Sequence, residues 1–383
     1  MSDDKLTIQK ISSIIGNAPL ASDIQQSISV ALQHPSVHLA AKNNPWEVFD
    51  ASLQAAVRDI ENHPRGRLFK RLIEFGPLNP DEPRTKHTDG TTTLSDPECG
   101  ECVEFIYSHM VNRFKGELAE LLALQPCIEL VQQLNSEKRL PSSAQLYWGE
   151  TVQERRKIAS GWGGFAKGAD GLIVDAKKVT LTILGAVEIK SMQRSSRTLL
   201  EQIGKHIARV KGGVRLAGRE WQYEHVTISP KTSMHRIMVT PSNWKVNREY
   251  HFEDNGKSRK LILAEPTVPS EPSLVKELSR GVWNITLSWS REALEQAAYE
   301  MTFWYMSQVG ERIYRTKALP KGWEGMSPEE AGYNAIKQML YYMPLRYISP
   351  RHQRLAIRLY NVYSFGYALA ADSREMLWPE DFA

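Results

Sequence analysis

Residues 168–190 read GADGLIVDAKKVTLTILGAVEIK, and the fold turns on them. Two β-branched, mostly apolar runs, GLIVD and VTLTILGAVEIK, are separated only by Ala176-Lys177-Lys178, a spacing that predicts a hairpin. In the second run Val187 and Ile189 fall on one face and Glu188 and Lys190 on the other, because successive strand side chains alternate. Asp170 stands at the start of the partner strand. A turn centred near Lys177-Lys178 sets Asp170 diagonally from Glu188, and a bulge at Gly185 would bring the two acids closer, since an isolated strand glycine often marks an inserted residue. Two carboxylates at the same end of adjacent strands suit one hard divalent cation. Mg²⁺ prefers one or two carboxylates and leaves its other positions to water and phosphate oxygens.

Upstream, ECVEFIYSHMVNRFKGELAELLAL (101–124) has the pattern of a long helix. Met110, Phe114, Glu117 and Leu121 follow one stripe, which places Glu117 among apolar residues facing the sheet. A carboxylate there is costly unless a cation or hydrogen bonds satisfy it. Glu120 falls off the stripe and is expected to be solvated. More helical sequence follows, then the Gly-rich passage GWGGFAKGADG. Beyond the hairpin come an amphipathic helix, RTLLEQIGKHIARV, and strand candidates HRIMVT, KLILAE and VWNITLSW. Ser290 is the expected N-cap of REALEQAAYEMTFWYMSQV. This order makes the middle of the chain mixed α/β. The chain divides into an N-terminal helical domain at 1–76, a Pro/Asp/Thr/Gly-rich linker or long loop at 77–100, the α/β core at 101–315 and a C-terminal helical region at 316–383.

GEL on a helix, then GAD, then EIK at the end of a hairpin strand resembles the PD-(D/E)XK nuclease superfamily, with the order of elements matching from about residue 101 to 210. Ala169 stands where the name pattern has Pro. The resemblance implies an α/β fold with a restriction-endonuclease-like mixed sheet flanked by helices. It further implies a catalytic set of Glu117, Asp170, Glu188 and Lys190. Asp170 and Glu188 would be metal ligands, Glu117 a supporting ligand, and Lys190 the group that orients or activates the attacking water. The cofactor would be Mg²⁺, with Mn²⁺ as a substitute. Gln202 occupies the position of a helix Gln that several such families place near the site, and His206 follows four residues later as a packing or phosphate contact. The competing reading makes Glu188 and Lys190 a solvated strand face and pairs Glu117 with an Arg.

Charge distribution points to a polyanionic partner. The whole chain carries only +4, but residues 190–260 hold fifteen Lys or Arg against six acids, a local +9 that leaves −5 elsewhere. Lys205, Arg209, Lys211 and Arg215 are the candidate nucleic-acid contacts, with Gln202 beside them. The C-terminal LYYMPLRYISPRHQRLAIRLYNVYSFGYAL interleaves Tyr with Arg346, Arg351, Arg354 and Arg358.

Other motifs carry less. GWGGFA precedes a hairpin rather than a helix, which argues against a dinucleotide site. The phosphate-loop spacing from Gly163 to Gly168 continues into Ala169 where Lys is required. Cys99-x-x-Cys102, with His87 and His109 nearby in sequence, permits a zinc site, but free loop thiols are the default expectation. Three cysteines cannot form a disulfide framework for 383 residues, so a reducing, cytoplasmic setting is expected. No apolar run reaches the roughly 20 residues that cross a bilayer, and no membrane partner is expected. The expected function is metal-dependent phosphodiester hydrolysis, as a DNA endonuclease in restriction or phage defence. An inactive nuclease-like binding or scaffold subunit, and a repair or recombination nuclease or an RNase, are the alternatives. DNA is favoured over RNA, and the helical regions are candidates for a homo-oligomer or protein partner.

Overall fold

The computed structural model describes residues 14–40, 45–66, 96–177, 180–192, 194–216, 221–231, 233–242, 247–254, 257–264, 272–319 and 321–342. Its helices are α1 (Ala18–Gln33), α2 (Pro45–Glu61), α3 (Asp96–Phe105), α4 (Asn112–Ser136), α5 (Ser196–Val210), α6 (Arg291–Tyr314) and α7 (Pro328–Tyr342), with a π-helical segment at Ile106–Val111 joining α3 to α4. The strands are β1 (Val37–His38), β2 (Ala144–Trp148), β3 (Val152–Ile158), β4 (Gly161–Lys167), β5 (Gly171–Ala176), β6 (Leu181–Ile189), β7 (Val214–Leu216), β8 (Trp221–Tyr223), β9 (Val226–Ile228), β10 (His235–Ser242), β11 (Asn247–Asp254), β12 (Lys257–Ala264), β13 (Leu274–Ser279) and β14 (Val282–Ser290).

An eight-stranded sheet runs in the order β1-β2-β5-β6-β10-β14-β13, with β9 also paired to β6. It is mixed: β2, β5 and β6 are antiparallel neighbours, whereas β10 runs parallel to both β6 and β14. The β5–β6 hairpin is the one expected from sequence. Its ladder closes at Ala176↔Leu181, and the register changes between Ile173↔Gly185 and Val174↔Ile183, which makes Leu184 the inserted residue. The expected bulge therefore exists one residue before Gly185. Gly185 itself is set by close approach, since a Cβ there would stand 2.7 Å from the His235 carbonyl oxygen on β10.

Strand alternation divides the core. Val187, Ile189, Ile237, Val239 and Ile285 pack into a cluster with α1, α2, α4 and α6. Leu172, Val174, Ile183 and Met238 face the other way, onto Leu199, Ile203 and Val210 of α5. The chain is thus mixed α/β, with helices on both sides of a mixed sheet. Leu20, Ile24 and Phe49, from the expected N-terminal unit, share the first cluster with Phe114 and Leu294, so packing crosses the sequence-drawn boundary at 76. Ser290 caps α6 by accepting the Ala293 N–H at 3.1 Å, as expected.

Several expectations change. The stretch read as further helix and then a Gly-rich passage contains β2, β3 and β4. Together with β7 and β8 the latter two form a four-stranded antiparallel sheet ordered β4-β3-β7-β8. Glu120 is buried rather than solvated, because α4 is enclosed on nearly all sides, as a helix inside a large core is. Cys102 lies on α3 and is fully buried, not in a loop. His87, most of the 77–100 segment, the Cys99 side chain and Arg346, Arg351, Arg354 and Arg358 lie outside the described residues or side chains. Among the described residues no helix is long and apolar enough to cross a membrane.

Candidate functional site at the β5–β6 hairpin mouth

The Leu184 bulge decides the site's geometry. The paired register ends at Gly171↔Val187, which leaves Asp170 and Glu188 as the next residue along each strand. Asp170 Oδ2 accepts the Ile189 N–H at 2.8 Å, so the acid is bound to the very strand that carries its partner. Lys190 extends the β6–β10 ladder through its N–H to the Val239 carbonyl at 2.9 Å. Its side chain shares the Glu188 face, as parity requires, and Nζ donates to Glu188 Oε1 at 2.5 Å.

That face is covered by α5. Ser195 caps the helix through the Thr198 N–H, and Leu199, Ile203 and Val210 seat it on the sheet. This brings His206 over the site, with Nδ1 2.6 Å from Glu154 Oε1 and Nε2 3.3 Å from Glu188 Oε2. Glu154 comes from β3 and is buried. It also accepts the Ala169 N–H at 3.2 Å, immediately before Asp170. A glycine is required next to this contact, because a Cβ on Gly168 would lie 2.8 Å from Glu154 Cγ. Gln202 is one helical turn before His206 on the same face, and its Oε1 is buried without a hydrogen-bond partner.

A second ionic group adjoins the first. Lys167, the last residue of β4, donates to Glu120 at 3.0 Å and lies 3.9 Å from Glu117 and 4.0 Å from Glu150. Glu117 is buried and in ion-pair contact with Arg113 at 2.7 Å. The Glu–Arg pairing of the competing reading therefore occurs, and Glu117 connects to the site through Lys167. Glu120, not flagged from sequence, is the helix acid whose charge weighs most on Asp170.

Burial governs the protonation of these groups. It raises Asp170 to about 7, with the negative charges of Glu120 and Glu188 adding to it against Lys167 and Lys190. Burial and Glu120 likewise raise Glu117 to about 8, opposed by Lys167 and Arg113. At Glu188 burial also favours the neutral acid, but His206 and Lys190 outweigh it and hold the carboxyl below its ordinary value. His206 rises to about 9, because hydrogen bonds and charge from Glu154 and Glu188 overcome its desolvation.

Of the other residues singled out in the sequence, Lys205, Arg209 and Lys211 are exposed on and just after α5. Arg209 lies 3.8 Å from Glu154, and Arg215 stacks over Phe165 at 4.4 Å. Glu154 and Lys167 are the residues that sequence reasoning missed. The signal available for Glu154 was the alternation of Val152 and Glu154 against Gln153 and Arg155, a strand pattern inside a charged stretch.

Among the described residues no three His, Cys, Asp or Glu side chains converge as a metal-holding group. Asp170 and Glu188 nevertheless match the one-or-two-carboxylate demand of Mg²⁺. Asp170 is crowded by the negative charge of Glu120 and Glu188, a condition that a bound cation relieves, while Glu188 Oε2 already faces His206 Nε2 at 3.3 Å. Comparisons with family models, curated proteins and solved structures each return no match.

Proposed function

We propose that the chain is a metal-dependent nuclease with a restriction-endonuclease-like core, most consistent with a DNA endonuclease of restriction or phage defence. The observation that supports this reading is that Asp170 and Glu188 come just beyond the last β5–β6 pair, with Asp170 bound to the Ile189 N–H and Lys190, next after β6, bound to Glu188. Asp170 and Glu188 would hold Mg²⁺ or Mn²⁺, which neutralises charge on phosphate oxygens and lowers the pKa of bound water. Lys190, whose ammonium is in direct contact with Glu188, would hold the attacking water and stabilise negative charge developing on the phosphoryl group. His206, fixed by Glu154, orients the second Glu188 oxygen. Glu117 acts at one remove, setting Lys167 and through it the charge around Asp170.

One observation favours a second reading, an inactive nucleic-acid-binding subunit. Lys190 and His206 together occupy the Glu188 carboxylate with the protein's own cations. Incubation with circular DNA, linear DNA and RNA, in Mg²⁺ or in EDTA, separates the two. The nuclease reading expects Mg²⁺-dependent cleavage of at least one substrate, abolished in Lys190→Ala. Cleavage that survives EDTA, or normal turnover by Lys190→Ala, overturns it.

A further inference from the structure

The β3–β4 hairpin is anchored to the candidate site at its base and exposed at its tip. At the base Glu154 holds His206 and the Ala169 N–H, while Lys167 holds Glu120. The ladder then changes register between Arg155↔Phe165 and Lys157↔Trp162, so that Gly163 and Gly164 together oppose Arg156. At this bulge Arg156 is exposed, and beyond it Lys157 is exposed, Ile158 is 53% exposed and Trp162 is 46% exposed. From Arg155 to Lys167 the sequence contains four Lys or Arg and no acid.

Trp162 is half seated rather than free. A Cβ on Gly212, just past α5, would fall 1.9 Å from the indole ring, so the ring lies directly on the Gly212 backbone. One side is thereby fixed while much of the remainder meets solvent. Phe165, on the same strand, is already covered by the Arg215 guanidinium. A fixed indole paired across the ladder with Lys157, next to exposed Arg156 and seated on the residue after exposed Lys211, combines the two parts of a single-strand site: a stacking platform and a cationic track for phosphates.

We propose that the β3–β4 hairpin binds an unpaired nucleic-acid strand, with a base stacked on Trp162 and the flanking phosphates on Arg156 and Lys157. The charge complementarity of the acid-free stretch from Arg155 to Lys167 and its anchorage to the site select this occupant over an acidic protein surface. The inference rests on the nuclease reading for the use made of the strand, and it narrows the substrate to nucleic acid with an overhang, a gap or a locally opened duplex.

The test measures binding of the full-length protein to labelled oligonucleotides in EDTA, where cleavage plays no part. The arms are single-stranded DNA, single-stranded RNA and blunt duplex of the same sequence. Trp162→Ala is expected to weaken single-strand binding about ten-fold, the order of one lost base stack, and to change duplex binding less than about two-fold. The double variant Arg156→Ala/Lys157→Ala should weaken single-strand binding and reduce its salt slope by about 1 to 2. It also serves as the second variant if Trp162→Ala fails to fold, which its melting curve reports. Wild-type single-strand affinity in folded Trp162→Ala, equal losses on duplex and single strand, or no nucleic-acid binding by the wild type overturns the proposal. Trp162-dependent binding without Mg²⁺-dependent cleavage leaves the hairpin standing and removes the nuclease reading. Cleavage with Trp162-independent binding does the reverse.

Discussion

Two antiparallel hairpins bring charge to one place by different means. β5–β6 lies inside the main sheet, carries long apolar runs, and places Asp170, Glu188 and Lys190 where its apolar alternation is interrupted. β3–β4 lies in the small sheet, carries charged and glycine-rich strands, and brings Glu154 and Lys167 in from outside. The first hairpin owes its position to its own side chains. The second owes it to partners such as His206, 52 positions from Glu154, and Glu120, 47 positions from Lys167. A strand held by local burial is readable from its pattern, whereas one held by distant ion pairs is not.

Substitutions that divide the hairpins by function and by stability test this contrast. The largest effect belongs to β5–β6. Glu188→Gln and Lys190→Ala should each lower nucleic-acid cleavage by about 10³-fold, the scale of removing an electrostatic stabiliser at a reacting centre, with melting temperature changed little in Lys190→Ala. Retained cleavage in Glu188→Gln would remove β5–β6 from the chemistry.

Next comes Glu154→Ala in β3–β4. It leaves His206 and the Ala169 N–H without their shared partner and should cost about 3 kcal/mol in urea unfolding, in line with breaking a buried pair. A loss below about 1 kcal/mol would mean that β3–β4 is not held as described.

A smaller effect links the hairpins through pH. In metal-free protein His206 is raised from 6.5 to about 9, so the stability it contributes is full below about 6.5 and is lost as pH rises through 9. Asp170 is raised from 3.8 to about 7, and its ionisation therefore also weakens the fold as pH rises from about 4 to 7. Melting temperature in EDTA should fall from pH 5.5 to 9, and His206→Gln should flatten the upper part of that fall. Added Mg²⁺ or Mn²⁺ should raise it more at pH 8 than at pH 5.5. A rising profile would contradict the signs of both shifts.

The smallest effect serves as a reference outside both hairpins. Arg197 and Glu201 form an exposed i,i+4 pair on α5 at 3.0 Å, and Arg197→Ala should change stability by less than about 0.5 kcal/mol.

The same contrast explains what the sequence disclosed. β5, β6, β10, β14, α5 and α6 were legible because their periodicity is long and their caps are local, as with Ser195 and Ser290. β2, β3 and β4 were not, since β2 has only five residues and β3 and β4 are charged or glycine-rich, so none has a period strong enough to mark a strand. Glu117 lies on the buried stripe that the sequence predicts, whose members Phe114, Glu117 and Leu121 on α4 and Met110 on the preceding π-helical segment are all enclosed. Glu120 was misjudged because a single-stripe argument assumes a solvent side, and α4 has almost none. From sequence His206 is readable only as a packing or phosphate contact four residues after Gln202. Its clamp between Glu154 and Glu188 required a strand that the sequence did not reveal.

The inserted Leu184 gives the strand one residue of slack. Removing Leu184 would close the bulge while preserving every pair from Gly185 to Val187, so Asp170 would still meet Glu188. An added residue between Gly185 and Glu188 has no such reserve and moves the acid off its partner. Length changes in β6 therefore act unequally, with one position forgiving a deletion and the segment after it tolerating neither loss nor gain.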